Sequence, residues 1–281
     1  MSPGRGRVRP IMLLGLRVVS IAPKNPLEAG SLTGKRALVT GSSRGVGAAT
    51  VGIFAEAGAS VAINFRNKEA RAIKVANAIV AADGTAITVG ADLTDAESVE
   101  SMFETIRAEF GGLDILVMNA SGGMESGMAE DYAMQLNRDA QINLLNAARP
   151  LLAPGARVVF VTSHQAHFVE TTTTMAEYEP VARSKRAGED ALRALIPELA
   201  EAGIGFVVVS GDIIEGTVTA VLLERASPGT MNARKDAAGR LYNVSEFGAE
   251  VALAAVEAVP ENNTRYVGDI ADYVGEAAGQ S

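Results

Sequence analysis

Lys35-Arg36-Ala37-Leu38-Val39-Thr40-Gly41-Ser42-Ser43-Arg44-Gly45-Val46-Gly47 joins a buried strand to a helix, and the rest of the chain is organised around that joint. Ala37 to Thr40 is a short apolar run suited to a strand covered on both faces. Gly41, Gly45 and Gly47 fall where a tight turn must open a helix, expected over Val46 to Ala57. Lacking Cβ atoms, this turn lets a phosphate approach the backbone, and the helix directs free N–H groups and its positive dipole end at that phosphate. A dinucleotide pyrophosphate is the natural occupant. A tight turn with no ligand is the alternative, because a single glycine-rich turn has low specificity.

Working outward, strands and helices alternate. Strands are expected at Ser60 to Phe65, Thr85 to Gly90, Leu113 to Ala120, Arg157 to Thr162, Gly205 to Ser210 and Thr264 to Val267. Helices are expected at Lys68 to Ala82, at Asp95 to Phe110 behind a Thr94 cap, at Pro180 to Ala202 and at Ser245 to Ala258. A long helical pattern also runs from Met128 to Leu152, whereas Ile214 to Asn243 carries no clear pattern. Such alternation implies right-handed crossovers and a single Rossmann-type, doubly wound parallel sheet of about seven strands, an α/β fold. Its ligands bind beyond the carboxyl ends of the strands.

The 281 residues show no composition shift that would divide them, so residues 31–281 read as one domain. Residues 1–30 read as an N-terminal extension without fixed structure, or as an over-extended translation start. Arg5, Arg7 and Arg9 before Ile11 to Leu16 imitate a secretory leader, but Arg17 interrupts the apolar run too early to span a bilayer. With no cysteine, a disulfide framework and a thiolate metal site are both excluded, and a cytoplasmic location is expected. A net charge of −8 argues against nucleic acid as partner.

Thr40-Gly41-Ser42-Ser43-Arg44-Gly45-Val46-Gly47 resembles the TGxxxGxG cofactor motif of the short-chain dehydrogenase/reductase family, and the likeness extends over the chain from Leu32 onward. Asp92-Leu93 resembles that family's adenine-holding pair after the third strand. Asn119-Ala120-Ser121-Gly122 resembles its NNAG element, with Met118 in place of the first Asn. Ser210-Gly211 stands where the family usually has Pro-Gly. The resemblance implies an oxidoreductase acting on a carbonyl or alcohol, with a small-molecule substrate and a homotetrameric or homodimeric assembly.

The cofactor follows from charge. An NAD enzyme normally places a carboxylate at the end of the second strand to bind the ribose 2′-hydroxyl. Here that end reads Asn64-Phe65-Arg66-Asn67, so nothing repels a 2′-phosphate, and Arg44 and Arg66 can both offer it forked donors. NADP(H) is therefore favoured over NAD(H), with both arginines as solvated surface charges the alternative.

The resemblance assigns catalytic roles to Ser163, Lys185 and Asn137, and Lys185 also to the nicotinamide ribose. It further implies a Tyr four residues before the Lys, on the same helix face. Val181 occupies that position and cannot exchange a proton. Tyr178 is the nearest phenol, expected in a loop before the helix, from which only a folded-back chain would bring it to the nicotinamide. His164 and His167 are the only histidines and follow Ser163 directly, as substitute acids or ordinary loop residues. Without carboxylate partners nearby in the sequence they do not make a metal site. Val181 also leaves open a dinucleotide-binding protein without turnover, serving as redox sensor or scaffold subunit.

Overall fold

The computed structural model describes residues 25–124 and 127–274. Seven parallel strands lie in the order β3-β2-β1-β4-β5-β6-β7. They span Arg36–Val39, Ser60–Phe65, Thr85–Gly90, Leu113–Met118, Leu152–Ser163, Gly205–Gly211 and Thr264–Val267 for β1 to β7. Strand order reverses between β1 and β4, so a crevice opens there at the carboxyl edge. Alternate β1 residues face opposite cores: Leu38 joins Leu116, Val158 and Phe206, while Ala37 and Val39 join Val61, Ile115 and Val207. Burial on both faces explains why these strands read as unbroken apolar runs.

The first helices are α1 (Gly45–Glu56), α2 (Glu69–Val80) and α3 (Ala96–Phe110). Asp95, not Thr94, caps α3, its carboxylate accepting from Glu97 N–H, while the Thr94 hydroxyl donates to Asp92. The pattern expected from Met128 to Leu152 is broken into α4 (Tyr132–Met134), a π-helical turn at Gln135–Asp139, α5 (Ala140–Ala148) and a 3₁₀ turn at Arg149–Leu151. Pro150 tightens that last turn, and β5 then begins at Leu152, five residues before its expected start.

After the short α6 (His164–His167), the helix expected over Pro180 to Ala202 is two: α7 (Glu179–Arg193) and α8 (Ile196–Glu201). Pro197 cannot donate to the preceding turn, and its ring displaces the carbonyl it would have met. The patternless Ile214 to Asn243 holds two helices, α9 (Val218–Ala226), capped by Thr217, and α10 (Thr230–Ala238). The described residues end with α11 (Val244–Ala254), β7 and α12 (Ala271–Val274).

Residues 1–24 of the expected N-terminal extension lie outside the described residues. Its last part does not read as an arm: Asn25 donates to Ile53 O at 3.1 Å and to Glu56 at 2.9 Å, and Leu27 packs on the core under α1. No helix among the described residues is long and apolar enough to cross a membrane.

Candidate active site

The glycine-rich turn is shaped by backbone that only glycine adopts freely. Gly41 and Gly45 have φ of 64° and 58°. A Cβ on Gly47 would lie 2.8 Å from both Asn119 Nδ2 and Ser42 Cα, so α1 starts too close to β4 for any side chain there. Arg44 enters α1 exposed, with extended backbone, and neither a side-chain cap nor an acid serves the first turn. Its N–H groups therefore retain capacity for an anion.

The other candidate binding residues fall into two groups. Ser42 is buried; its hydroxyl donates to Val39 O at 2.6 Å and accepts from Asn64 N at 3.1 Å, so it holds the turn instead of facing a ligand. Asn119 is half engaged, since its side chain donates to Thr40 O at 2.9 Å, while its N–H and that of Ala120 both donate to Thr40 Oγ1 at 3.0 Å. Asp92 accepts from Thr94, and Leu93 is buried beside it. Ser43, Val46 and Ser121 remain accessible at the crevice, and Arg66 and Asn67 are exposed past β2.

Asn64 was legible only as a missing carboxylate, yet it organises the crevice. Buried to 2% exposure, it accepts from Gly41 N–H at 3.0 Å and donates to Val89 O at 3.3 Å. An amide on β2 thus ties the glycine turn to β3.

The catalytic candidates converge. A cavity of about 140 Å³ is lined by Ser163, Tyr178 and Lys185 together with Val46, Asn119 and Asp212. Ser163 ends β5 and caps α6, its Oγ accepting from Ala166 N–H at 3.2 Å. The same Oγ lies 3.2 Å from the Tyr178 hydroxyl. The folded-back chain is therefore present. Gln165 draws it in, accepting from Thr174 Oγ1 at 2.5 Å and Met175 N–H at 3.4 Å, and Tyr178 N–H closes a turn onto Met175 O at 2.9 Å. Sequence spacing gave no signal for this, because an axial separation along an imagined helix does not describe a residue that precedes the helix.

Lys185, on α7, is 8% exposed and makes no salt bridge or hydrogen bond among the described residues. Asn137 lies in the π-helical turn, where its amide donates to Gly122 O at 2.8 Å and Ser184 Oγ at 2.9 Å and its Oδ1 accepts from Gly122 N–H at 3.2 Å. It braces the loop after β4 against α7. Val181 is buried with Tyr178, Ala182 and Ile213 in a small apolar cluster.

Neither histidine lines this cavity. His164 is fully buried: its Nε2–H donates to Val267 O at 3.1 Å, which leaves Nδ1 to accept from Ser210 Oγ at 2.8 Å. Burial pushes its pKa down to about 4, the Val267 contact opposing only part of that shift. His167 bridges buried Glu189 and the Tyr266 hydroxyl, each about 3.0 Å away. Burial alone would raise Glu189, but the bonds from His167 and Arg193 outweigh it and hold the carboxylate below its usual range. The carboxylate that the sequence did not place beside His167 is thus supplied by α7. Among the described residues no set of three metal-ligating side chains gathers.

The lining fits a nicotinamide dinucleotide on this chain's own terms. The uncapped α1 terminus would take the pyrophosphate, and among the described residues Lys185 offers an unpaired buried ammonium and Thr162 Oγ1 is buried at the cavity without a partner. A family model described as short chain dehydrogenase matches residues 35–226, and the chain belongs to that family. An uncharacterized oxidoreductase of Methylorubrum extorquens is 35% identical over 198 residues, covering 67% of this chain and 77% of its own. A hydroxynaphthalene reductase of Aspergillus fumigatus is 38% identical over 138 residues, covering 47% of this chain; the match spans only 50% of the reductase's length. Among solved structures, a short chain dehydrogenase from Burkholderia cenocepacia in complex with NADP superposes with a TM-score of 0.70 at 28% identity, covering 85% of this chain and 98% of that one.

Proposed function

We propose that this protein is an NADP(H)-dependent oxidoreductase that interconverts a carbonyl and an alcohol, with Tyr178 supplying the proton that Val181 cannot. The observation that carries this reading is the 3.2 Å contact between Ser163 Oγ and the Tyr178 hydroxyl in a cavity that Lys185 also lines. A reduced nicotinamide, when bound, supplies hydride to the carbonyl carbon. Ser163 and Tyr178 hold the carbonyl oxygen between two hydroxyls, and Tyr178 gives it a proton as charge develops. The Lys185 ammonium would hold the nicotinamide ribose and stabilise negative charge that develops beside it in the transition state. Asn137 acts through position, since its side chain is engaged by Gly122 and Ser184.

NADP(H) over NAD(H) rests on Arg44, Arg66 and the absent acid after β2, in keeping with the bound NADP of the Burkholderia relative. One or two charge-assisted contacts to a 2′-phosphate are worth about 1.5 to 3 kcal/mol, roughly tenfold or more in affinity. The substrate class is an apolar carbonyl compound, because Ile213, Ile214 and Leu223 line the cavity and Met124, Met175 and Met231 pack beside it. A closed homodimer or homotetramer, the assembly that the family resemblance implies, completes the reading.

The test is a cofactor titration with NADPH and NADH, followed by turnover of a carbonyl panel that includes hydroxynaphthalene-type ketones. Tighter NADPH binding and NADPH consumption with at least one carbonyl are expected. Binding without any turnover would leave the sensor or scaffold reading, which Val181 favours. Equal affinity for the two cofactors would defeat the NADP assignment.

A further inference from the structure

Arg66 does not hang free past β2. Its Nη1 donates to the hydroxyl of Tyr132, and its guanidinium carbon lies 5.7 Å from the centroid of that ring. Tyr132 opens α4 and is 9% exposed, and it belongs to the same buried core cluster as Leu93, Met118 and Leu136. The two residues are 66 positions apart, so their contact comes from the fold and not from local sequence. Arg66 makes no salt bridge among the described residues, which leaves Nε and Nη2 of its five-donor fork for another acceptor.

We propose that Tyr132 is a positioning residue for cofactor choice: anchored in the core, it holds the Arg66 guanidinium at the end of β2 so that its remaining donors meet a ribose 2′-phosphate. The inference rests on the NADP(H) reading above. An unrestrained arginine loses side-chain entropy when it grips a phosphate. A tyrosine that already restrains the fork removes part of that cost before the ligand arrives, while the ring face adds cation–π attraction. Because the contact concerns the 2′-phosphate alone, its loss should weaken NADPH and leave NADH untouched.

Tyr132→Phe keeps the ring and deletes the hydroxyl. Calorimetric titration of the full chain with NADPH, NADH and 2′,5′-ADP reads the effect without turnover. NADPH and 2′,5′-ADP are expected to bind roughly threefold to tenfold more weakly to the variant, with NADH unchanged, consistent with one hydrogen bond. In an Arg66→Ala background the same change should do nothing further. Equal weakening of NADPH and NADH would show that Tyr132 supports only the fold, and would overturn the inference. So would an unchanged NADPH:NADH ratio in Tyr132→Phe when Arg66→Ala collapses it, a result that leaves the NADP(H) reading standing. No preference in the wild-type chain defeats both. If Tyr132→Phe fails to fold, Arg66→Lys decides: the single ammonium cannot keep the tyrosine and grip the phosphate as a fork does, so the ratio must fall, and an unchanged ratio overturns the inference.

Discussion

The Ser163 hydroxyl and the Tyr178 hydroxyl meet at 3.2 Å, although Tyr178 stands seven residues before Lys185 and the position one helical turn before that lysine is held by Val181. The displaced phenol arrives from the entrance of α7 instead of from its face. Tyr178→Phe removes the hydroxyl proposed as proton donor while keeping the ring in its apolar cluster with Ala166, Val181 and Ile213. Turnover is expected to drop by roughly a hundredfold or more, with NADPH affinity within about twofold of the parent. Stopped-flow turnover with cofactor titration checks both. Undiminished turnover would mean that water or the substrate supplies the proton.

Gly188 on α7 lies directly against the π-helical turn. A Cβ there would lie 2.0 Å from Asn137 O and 3.0 Å from Asn137 C, both backbone atoms that cannot rotate away. Gly188→Ala gains about 1 kcal/mol in helix propensity. Forcing the two elements apart costs about 1–3 kcal/mol or more, so the clash wins. The melting temperature is expected to fall by a few degrees. Turnover should fall with it, because Lys185 and the Ser184–Asn137 bond ride on the same contact. A variant as stable and active as the parent would show that the two helices can separate freely.

The fold was legible because β1, β2, β4 and β6 are buried on both faces and glycines such as Gly41, Gly58 and Gly111 fall where the chain turns. β2, β3 and β7 match their expected limits, and the glycine turn meets Asn119 at the β1/β4 crevice, where the Asn119 side chain donates to Thr40 O, while Asp92 follows β3 at the sheet edge. The site was less legible wherever contacts cross the sheet edge. Tyr178 reaches Ser163 only because Gln165 draws in the intervening loop, and the partner of Arg66 lies 66 residues away. Pattern also failed in the helices. The π turn containing Asn137 keeps an ordinary helical residue pattern, and α9 and α10 have too little apolar periodicity to announce themselves.

His164 makes the fold sensitive to mild acid. Burial above all sets its folded pKa of about 4 below the usual 6.5, with Arg234 and His167 adding to the shift and Val267 O and Asp269 opposing it. Between those values the unfolded chain binds a proton that the folded chain refuses, so stability falls as pH drops from about 6.5 towards 4 and is fully present above that window. The whole shift corresponds to roughly 3 kcal/mol. Glu189, held low, erodes stability further in stronger acid, while Asp212, raised by burial against the pull of Ile213 N–H and Arg234, acts in the opposite sense. Urea unfolding at several pH values should show this slope, and His164→Phe should flatten it while lowering stability at pH 7.5. The same slope in the variant would place the titration elsewhere.

Restoring a tyrosine at position 181 tests whether the displaced donor is a true alternative or merely a missing residue. By helical spacing alone, Val181→Tyr would put a phenol one turn before Lys185 and create or raise activity. The packing argues otherwise. Val181 is 5% exposed, Ser184 Oγ donates to its carbonyl at 2.8 Å, and its Cγ2 would lie 3.1 Å from a Cβ on Gly123. Its neighbours in the cluster include Tyr178 itself, so a second ring competes for the volume the Tyr178 phenol occupies. Overpacking of this kind costs about 1–3 kcal/mol and moves side chains off their positions. Val181→Tyr is therefore expected to lower both the melting temperature and turnover, and to do so without tightening NADPH binding. A variant that instead turns over faster than the parent would show that the cavity accepts a phenol from α7, and that Tyr178 serves there only as packing.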